Sequence, residues 1–230
     1  MLNISNTEVL SIKNNSKYLA IAILIGGKST RFGSDKGLFE FHGKSLISYQ
    51  LETLTQTDYD IFLVAHSIEQ VQSYINKIDI RQITGFIIDD NSPSSDSNFH
   101  TPMKGLYSAY KELKDMDYEK SLTLSCDLPL INLDVIEFLI KQSKGYDCCI
   151  PKWNNGFLEP LFAIYPIKKA YKKAEENLKN HKYKLTNIIS DNWKINFLSV
   201  ENSIKQYDQN LLTFLNINTL EDIKLLMGNN

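Results

Sequence analysis

The sequence predicts an α/β protein built on a single doubly wound, mostly parallel sheet flanked by helices. Three observations carry this expectation. Residues 19–25 form an unbroken run of seven apolar side chains that empties into Gly26-Gly27, the mark of a strand buried on both faces. Further short apolar runs, at 60–65, 85–88 and 121–125, alternate with segments of helical spacing. No internal repeat and no Pro/Gly-rich linker divides the chain, so residues 18–230 read as one domain behind a lead-in of residues 1–17.

Taken in order, the lead-in is rich in Asn and Ser, and only residues 8–13 have the composition of a short extra strand. After the first strand and its loop, Gly43 ends a short segment at 38–41. Residues 45–54 then place Leu46, Ile47, Leu51 and Leu54 at helical spacing. Residues 60–65 are a second buried strand, and Ser67 can cap the helix that follows, with Val71, Tyr74, Ile75 and Ile78 on one side. Residues 85–88 make a third strand ending in Asp89-Asp90. Residues 91–100 hold no aliphatic or aromatic side chain before Phe99 and read as a mobile loop. Thr101 and Pro102 open a helix as cap and first helical residue, with Leu106, Ala109, Tyr110 and Leu113 buried. A fourth strand, 121–125, runs into Cys126-Asp127-Leu128-Pro129. Helix 133–141, strand 147–150, an apolar stretch 158–165, a Lys-rich amphipathic helix 167–179, helix 185–190 and strand 195–200 follow. The chain then reaches Phe214-Leu215-Asn216-Ile217-Asn218-Thr219 and a final helix to Met227.

Composition narrows the function classes. A net charge of −2 argues against a general nucleic-acid binder, which would carry a basic face. Three cysteines, Cys126, Cys148 and Cys149, show neither paired spacing nor a zinc pattern, which suits reduced thiols in the cytoplasm. The lead-in has no apolar core of a signal peptide, and no stretch approaches a membrane span.

The loop after the first strand is the chemical centre. Lys28, Arg31 and Lys36 face the single acid Asp35, and adjacent glycines let backbone N–H groups approach an anion closely. Two known phosphate loops do not match. A P-loop needs a glycine where Ala22 stands, and the glycines Gly26, Gly27 and Gly33 do not spell a dinucleotide fingerprint. In a doubly wound sheet ligands bind beyond the carboxyl ends of the strands, which gathers this loop, His66, Asp89-Asp90, Asp127 and the 216–218 segment. Asp127, a hard carboxylate directly after a buried strand, suits magnesium, with a turn-capping Asp as the plainer alternative. His66 reads first as a turn residue. The cysteines lack a neighbouring base, and no Ser-His-Asp order or H-E-x-x-H helix occurs, which argues against nucleophilic catalysis.

These residues fall in a known order. Leu24-Ile25-Gly26-Gly27, then Arg31-Phe32-Gly33-Ser34-Asp35-Lys36, then Gly43-Lys44-Ser45-Leu46, resembles the opening of the molybdenum cofactor guanylyltransferases of the MobA type. Thr101-Pro102-Met103-Lys104-Gly105, Cys126-Asp127-Leu128-Pro129, Glu159-Pro160-Leu161-Phe162-Ala163 and Asn216-Ile217-Asn218-Thr219 continue the likeness across residues 18–227. The resemblance implies a Rossmann-like nucleotidyltransferase fold and transfer of GMP from GTP to the phosphate of molybdopterin, with Mg²⁺ and release of pyrophosphate. It implies that Leu24, Ile25, Gly26 and Gly27 hold the nucleotide through backbone groups. His66 and Asp90 (or Asp89) would contact it, and Arg31 and Lys36 would neutralise its phosphates. It further implies that Asp127 binds the metal and that Asn216 and Asn218 lie beside the acceptor. Proteins that deliver or accept the cofactor would be partners, and neither nucleic acid nor membrane would be. Departures at Ile25, Phe32, His66, Thr101 and Lys104 bear on base selectivity. The competing readings are a related nucleotidyltransferase using CTP or another phosphorylated acceptor, and a nucleotide-binding adaptor without turnover.

Overall fold

The seven-residue apolar run becomes an interior strand of the sheet. A computed structural model describes residues 17–26, 35–89, 101–217 and 222. Strand β1 (Lys17–Leu24) has neighbours on both sides and helices on both faces. Its alternate residues divide between two cores. Leu19, Ile21, Ile23 and Ile25 enter one, while Ala20, Ala22 and Leu24 enter the other. That division is why the run shows no polar alternation.

The remaining elements follow in chain order. A hairpin of β2 (Glu40–Phe41) and β3 (Lys44–Ser45) turns at His42-Gly43, both with positive φ, which Gly43 adopts without strain. Then come α1 (Leu46–Leu54), β4 (Asp60–Ala65), α2 (Ile68–Ile75), β5 (Gly85–Ile88), α3 (Pro102–Asp115) and β6 (Tyr118–Ser125). After these lie α4 (Leu133–Gln142), β7 (Cys148–Lys152), β8 (Phe162–Pro166), α5 (Ile167–Lys179) and β9 (Ile195–Ser199). The large sheet runs β5-β4-β1-β6-β8-β7-β9. The β5-β4-β1-β6 half is parallel, β8 is antiparallel to both β6 and β7, and β9 is parallel to β7. The doubly wound, mostly parallel expectation holds. Residues of α1, α2 and α4 cover one face, and residues of α3 and α5 cover the other.

Local signals set most boundaries. Ser67 accepts the Gln70 N–H and Thr101 the Met103 N–H, with Pro102 at the first helical position. Gly105 lets α3 sit directly on the sheet: a Cβ there would meet Leu24 Cδ2 at 3.4 Å. Elsewhere tertiary contacts move the expected limits. Strand β6 starts at Tyr118, three residues earlier than its apolar run, because Lys17 and Tyr118 already pair. Strand β7 starts at Cys148, since the Asp147 carboxylate is taken by Lys169 at 2.6 Å and by the Lys194 N–H at 3.0 Å. Strand β8 is confined to the end of the apolar stretch, because Glu159 N–H turns to Pro151 O and Phe162 N–H back to Glu159 O.

Two expectations need correction. Residues 185–190 are not a helix but a 3-10 turn, Leu185–Ile188, whose Asn187 carbonyl accepts the Asn177 amide at 2.9 Å. So short a segment gains too few bonds to offset helix nucleation. Ile75 is 46% exposed, and α2 buries Gln70 and Tyr74 instead, for a reason that lies in the site. The 8–13 strand and the 91–100 loop lie outside the described residues, as does the last helix apart from Asp222.

Candidate active site

Four backbone hydrogen bonds stitch the carboxyl edge of the sheet together. Cys126 N–H reaches Leu24 O at 3.1 Å, Ile25 N–H reaches Val64 O at 3.1 Å, and Asp89 N–H reaches Ala65 O at 2.8 Å. Ile217 N–H closes on Asp127 O at 3.0 Å, which lays the C-terminal segment against the end of β6. Leu24, Ile25, Gly26, His66, Lys36, Asp127 and Asn216 therefore meet at one edge, with Asn216 exposed. Gly27, Arg31, Asp90 and Asn218 lie outside the described residues.

The central feature is an ion pair between two expected site residues. Lys36 Nζ stands 3.1 Å from Asp127 Oδ2, with the side chains 16% and 23% exposed. Partial withdrawal from water strengthens such a pair and leaves it open to exchange with a charged ligand. The backbone under Lys36 is fixed by Asp35. Its carboxylate accepts the Gly37 N–H at 3.0 Å, the Tyr74 hydroxyl at 2.6 Å and the Gln70 amide. Gln70 also donates to Ile25 O at 2.9 Å and accepts the His66 N–H at 2.9 Å. One buried glutamine thus ties the ends of β1 and β4 to the Asp35 turn. Tyr74 is fully buried, and burial, then the neighbouring Cys126 and Asp35, raises its phenol well above the ordinary value. Gly37 lies against it so closely that a Cβ would sit 2.2 Å from Tyr74 Oη.

The backbone that the resemblance gives to the nucleotide has partners within the fold. The Leu24 carbonyl, the Ile25 N–H and the Ile25 carbonyl are all engaged within the fold. Gly26 is exposed and packs beside His66, whose Cβ would lie 3.5 Å from a Cβ at that position. The N-terminus of the 14-residue helix α3 starts at the same edge, where the helix dipole favours anions. Ser108 on α3 donates to Asp89 Oδ1 at 3.0 Å, and Lys104, one turn nearer the N-terminus, is buried.

On the other side of Asp127 lies a second group of residues. Trp153 donates its indole N–H to Glu159 Oε1 at 2.6 Å and packs edge-on against Phe214 at 5.6 Å. Burial raises the Glu159 carboxyl above its ordinary range, the indole bond opposes this, and the Asp127 charge adds to it. The cysteines are buried, and burial raises all three thiols, Cys149 to about 12, so they are protonated and unreactive at neutral pH.

The magnesium ion that the resemblance implies fits this donor set. The Asp127 carboxylate already holds a cation, and hard oxygen donors on a rigid strand end suit Mg²⁺. Among the described residues no group of three or more His, Cys, Asp or Glu side chains gathers. Sequence reasoning missed Gln70, Tyr74 and the anchoring role of Asp35. Buried polar side chains on an otherwise apolar helix face carry no local signal, and Tyr74 passes for an ordinary core residue. Glu159 was visible only as one letter of a longer run.

Known proteins resemble the chain throughout its length. A protein of Methanosarcina mazei described as a probable molybdenum cofactor guanylyltransferase is 26% identical over 227 residues, covering 97% of this chain and 96% of that protein. A Pyrococcus horikoshii protein with the same description is 30% identical, covering 90% and 98%. The crystal structure of molybdopterin-guanine dinucleotide biosynthesis protein A from Archaeoglobus fulgidus superposes with a TM-score of 0.71 at 23% identity, covering 92% of this chain and all of that one. The family described as the MobA-like NTP transferase domain matches residues 21–192, so the chain belongs to that family.

Proposed function

We propose that this nucleotidyltransferase transfers GMP from GTP to the phosphate of molybdopterin, releasing pyrophosphate and forming the guanine dinucleotide form of the molybdenum cofactor. The observation that carries this reading is the Lys36–Asp127 pair at the carboxyl ends of neighbouring strands, a phosphate-binding cation beside a carboxylate suited to a metal. Relatives described as probable molybdenum cofactor guanylyltransferases over nearly their whole length support the choice of nucleotide and acceptor.

The chemistry asks mainly for charge neutralisation. An acceptor phosphate oxygen attacks the α-phosphorus of GTP, the bond from that phosphorus to the β-phosphate bridging oxygen breaks, and pyrophosphate leaves. A phosphomonoester is already mostly ionised at neutral pH, so no general base is needed. Lys36 releases Asp127 and takes up phosphate oxygens, joined by Arg31. Asp127 would hold Mg²⁺, which supplies positive charge to the phosphates when bound. Gly26, with Gly27, offers N–H groups to the phosphates, Leu24 and Ile25 shape the wall beneath them, and His66 and Asp90 flank the nucleoside. Asn216 precedes Ile217, whose N–H binds Asp127 O, and would serve the acceptor together with Asn218. The reading carries with it a cytoplasmic location and partner proteins that deliver or accept the cofactor. No helix among the described residues is long and apolar enough to cross a membrane.

The test is pyrophosphate release with GTP, CTP, ATP and UTP, each with and without molybdopterin. Release with GTP that depends on molybdopterin is expected. Preference for CTP would move the chain to a sister activity, and release with no nucleotide would refute turnover.

A further inference from the structure

We propose that Gln50 is a positioning residue for Asp127, and this rests on Asp127 being the metal- and phosphate-side carboxylate of the reaction above. Gln50 lies on α1 and is fully buried among the apolar residues Ile47, Leu51 and Leu54. Its amide nitrogen donates to Ser125 O at 3.0 Å and to Leu128 O at 3.2 Å. Those two carbonyls bracket Cys126-Asp127, so one side chain grips the turn from both sides of the carboxylate. The geometry fixes the amide orientation, because only the NH₂ end can serve two carbonyls. Its Oε1 is then left buried without a hydrogen-bond partner among the described residues.

That orphaned oxygen is the informative part. A leucine or methionine would fill the same layer with no buried amide oxygen to satisfy, so what glutamine adds here is its hold on the Ser125 and Leu128 carbonyls rather than packing. What the amide provides is a fixed turn at the point where β6 leaves the sheet. Beyond Ser125 the parallel pairing with β1 ends, and the segment is held by the Cys126 N–H bond to Leu24 O, by Ile217 N–H on Asp127 O, and by Gln50 from below. Without the amide, the Ser125 and Leu128 carbonyls lose this partner, and the Asp127 carboxylate loses its preset aim. The Lys36 pair approaches Asp127 from the ligand side and is exchanged on binding, so it cannot do this in the loaded state.

The experiment compares wild type with Gln50→Met, which keeps the volume and removes both donors, and Gln50→Glu, which puts acceptors against two carbonyls. Three quantities are read: the melting temperature, GTP affinity without metal, and Mn²⁺ affinity in the presence of GTP by electron paramagnetic resonance. The expected result for Gln50→Met is a melting temperature near that of wild type, unchanged metal-free GTP affinity, and Mn²⁺ binding about tenfold weaker. Gln50→Glu should weaken Mn²⁺ at least as much. Wild-type Mn²⁺ affinity in a folded Gln50→Met protein would overturn the proposal. Loss of folding in both variants would also overturn it, by making Gln50 a core residue only. A wild type that binds Mn²⁺ with GTP but releases no pyrophosphate would refute the proposed transfer alone, leaving the Mn²⁺ comparison to decide on Gln50.

Discussion

Two lysine–aspartate pairs stand at opposite ends of β1, and they behave differently. At the amino end, Lys17 approaches Asp60 on β4 at 3.7 Å, with side chains 57% and 40% exposed. Tyr118 lies between them, accepting from Lys17 at 3.1 Å and donating to Asp60, while Thr84 fills the other carboxylate oxygen at 3.0 Å. At the carboxyl end, Lys36 and Asp127 are closer and more withdrawn from water. The first pair is saturated by its own neighbours and open to solvent, so it adds little and offers nothing to a ligand. In the second, the Lys36 backbone rests on the Asp35 turn, which Gln70 and Tyr74 hold by its carboxylate. Residue type does not separate the two pairs; burial and the edge of the sheet do, and only the second stands where the proposed function needs it.

Substitutions at both ends should break that comparison cleanly. Asp127→Ala should have the largest effect, lowering kcat by about a hundred-fold or more while metal-free GTP binding survives. Near-normal turnover at saturating Mg²⁺ would transfer its role to Asp89 or Asp90. Lys36→Ala should lower kcat/KM about ten- to a hundred-fold, the loss of a charge-assisted phosphate contact. Lys17→Ala should leave turnover unchanged, and equal losses in the two variants would erase the distinction between the edges.

Gly37→Ala tests the support rather than the charge. Its Cβ collides with Tyr74 Oη, and overpacking of this kind costs about 1–3 kcal/mol in denaturant unfolding. Removing that oxygen with Tyr74→Phe in the same chain should restore part of the stability. The smallest effect concerns pH at the amino edge. The Tyr118 hydroxyl, opposed by burial and aided by Thr84 and Lys17, holds the Asp60 carboxyl below its ordinary value of about 4. A depressed folded pKa gives stability that is complete above the unfolded value and is lost as pH falls through the folded one. Asp60→Asn should therefore flatten the melting-temperature curve below about pH 4 and leave activity at pH 7 alone.

Elements governed by neighbours in sequence were legible. Strands β4 and β5, helix α5 and the caps Ser67 and Thr101 stand where apolar runs, helical spacing and capping chemistry put them. The residues at the carboxyl edge were legible too, because a parallel sheet assigns all strand ends one destination. What depends on distant partners was not. The direction of β8 is set by pairing with β6 and β7, and nothing in Phe162-Ala163-Ile164-Tyr165 encodes it. Gln50 and Gln70 break the apolar face of their helices for partners tens of residues away. Ile75 was misplaced for the same reason: α2 turns toward Asp35, not toward the most apolar packing.

The reversal at β8 has a consequence for how such a protein can diversify. In the β5-β4-β1-β6 half, each connection must cross the sheet through a helix, so its length is tied to the architecture. Residues 153–161, between β7 and β8, need only return along the same edge, next to Asp127 and Phe214. Their turn is already open at Gly156, with φ of +90° and no atom within 4 Å of a would-be Cβ. Doubling such a loop costs only about 0.6 kcal/mol in closure entropy. The parallel half, which the proposed function gives to GTP, is thus architecturally frozen, while the antiparallel half, proposed to face the acceptor, can accept grafted segments of new length and chemistry. An engineer seeking a different acceptor would cut at Asn155-Gly156 and leave the rest of the chain untouched.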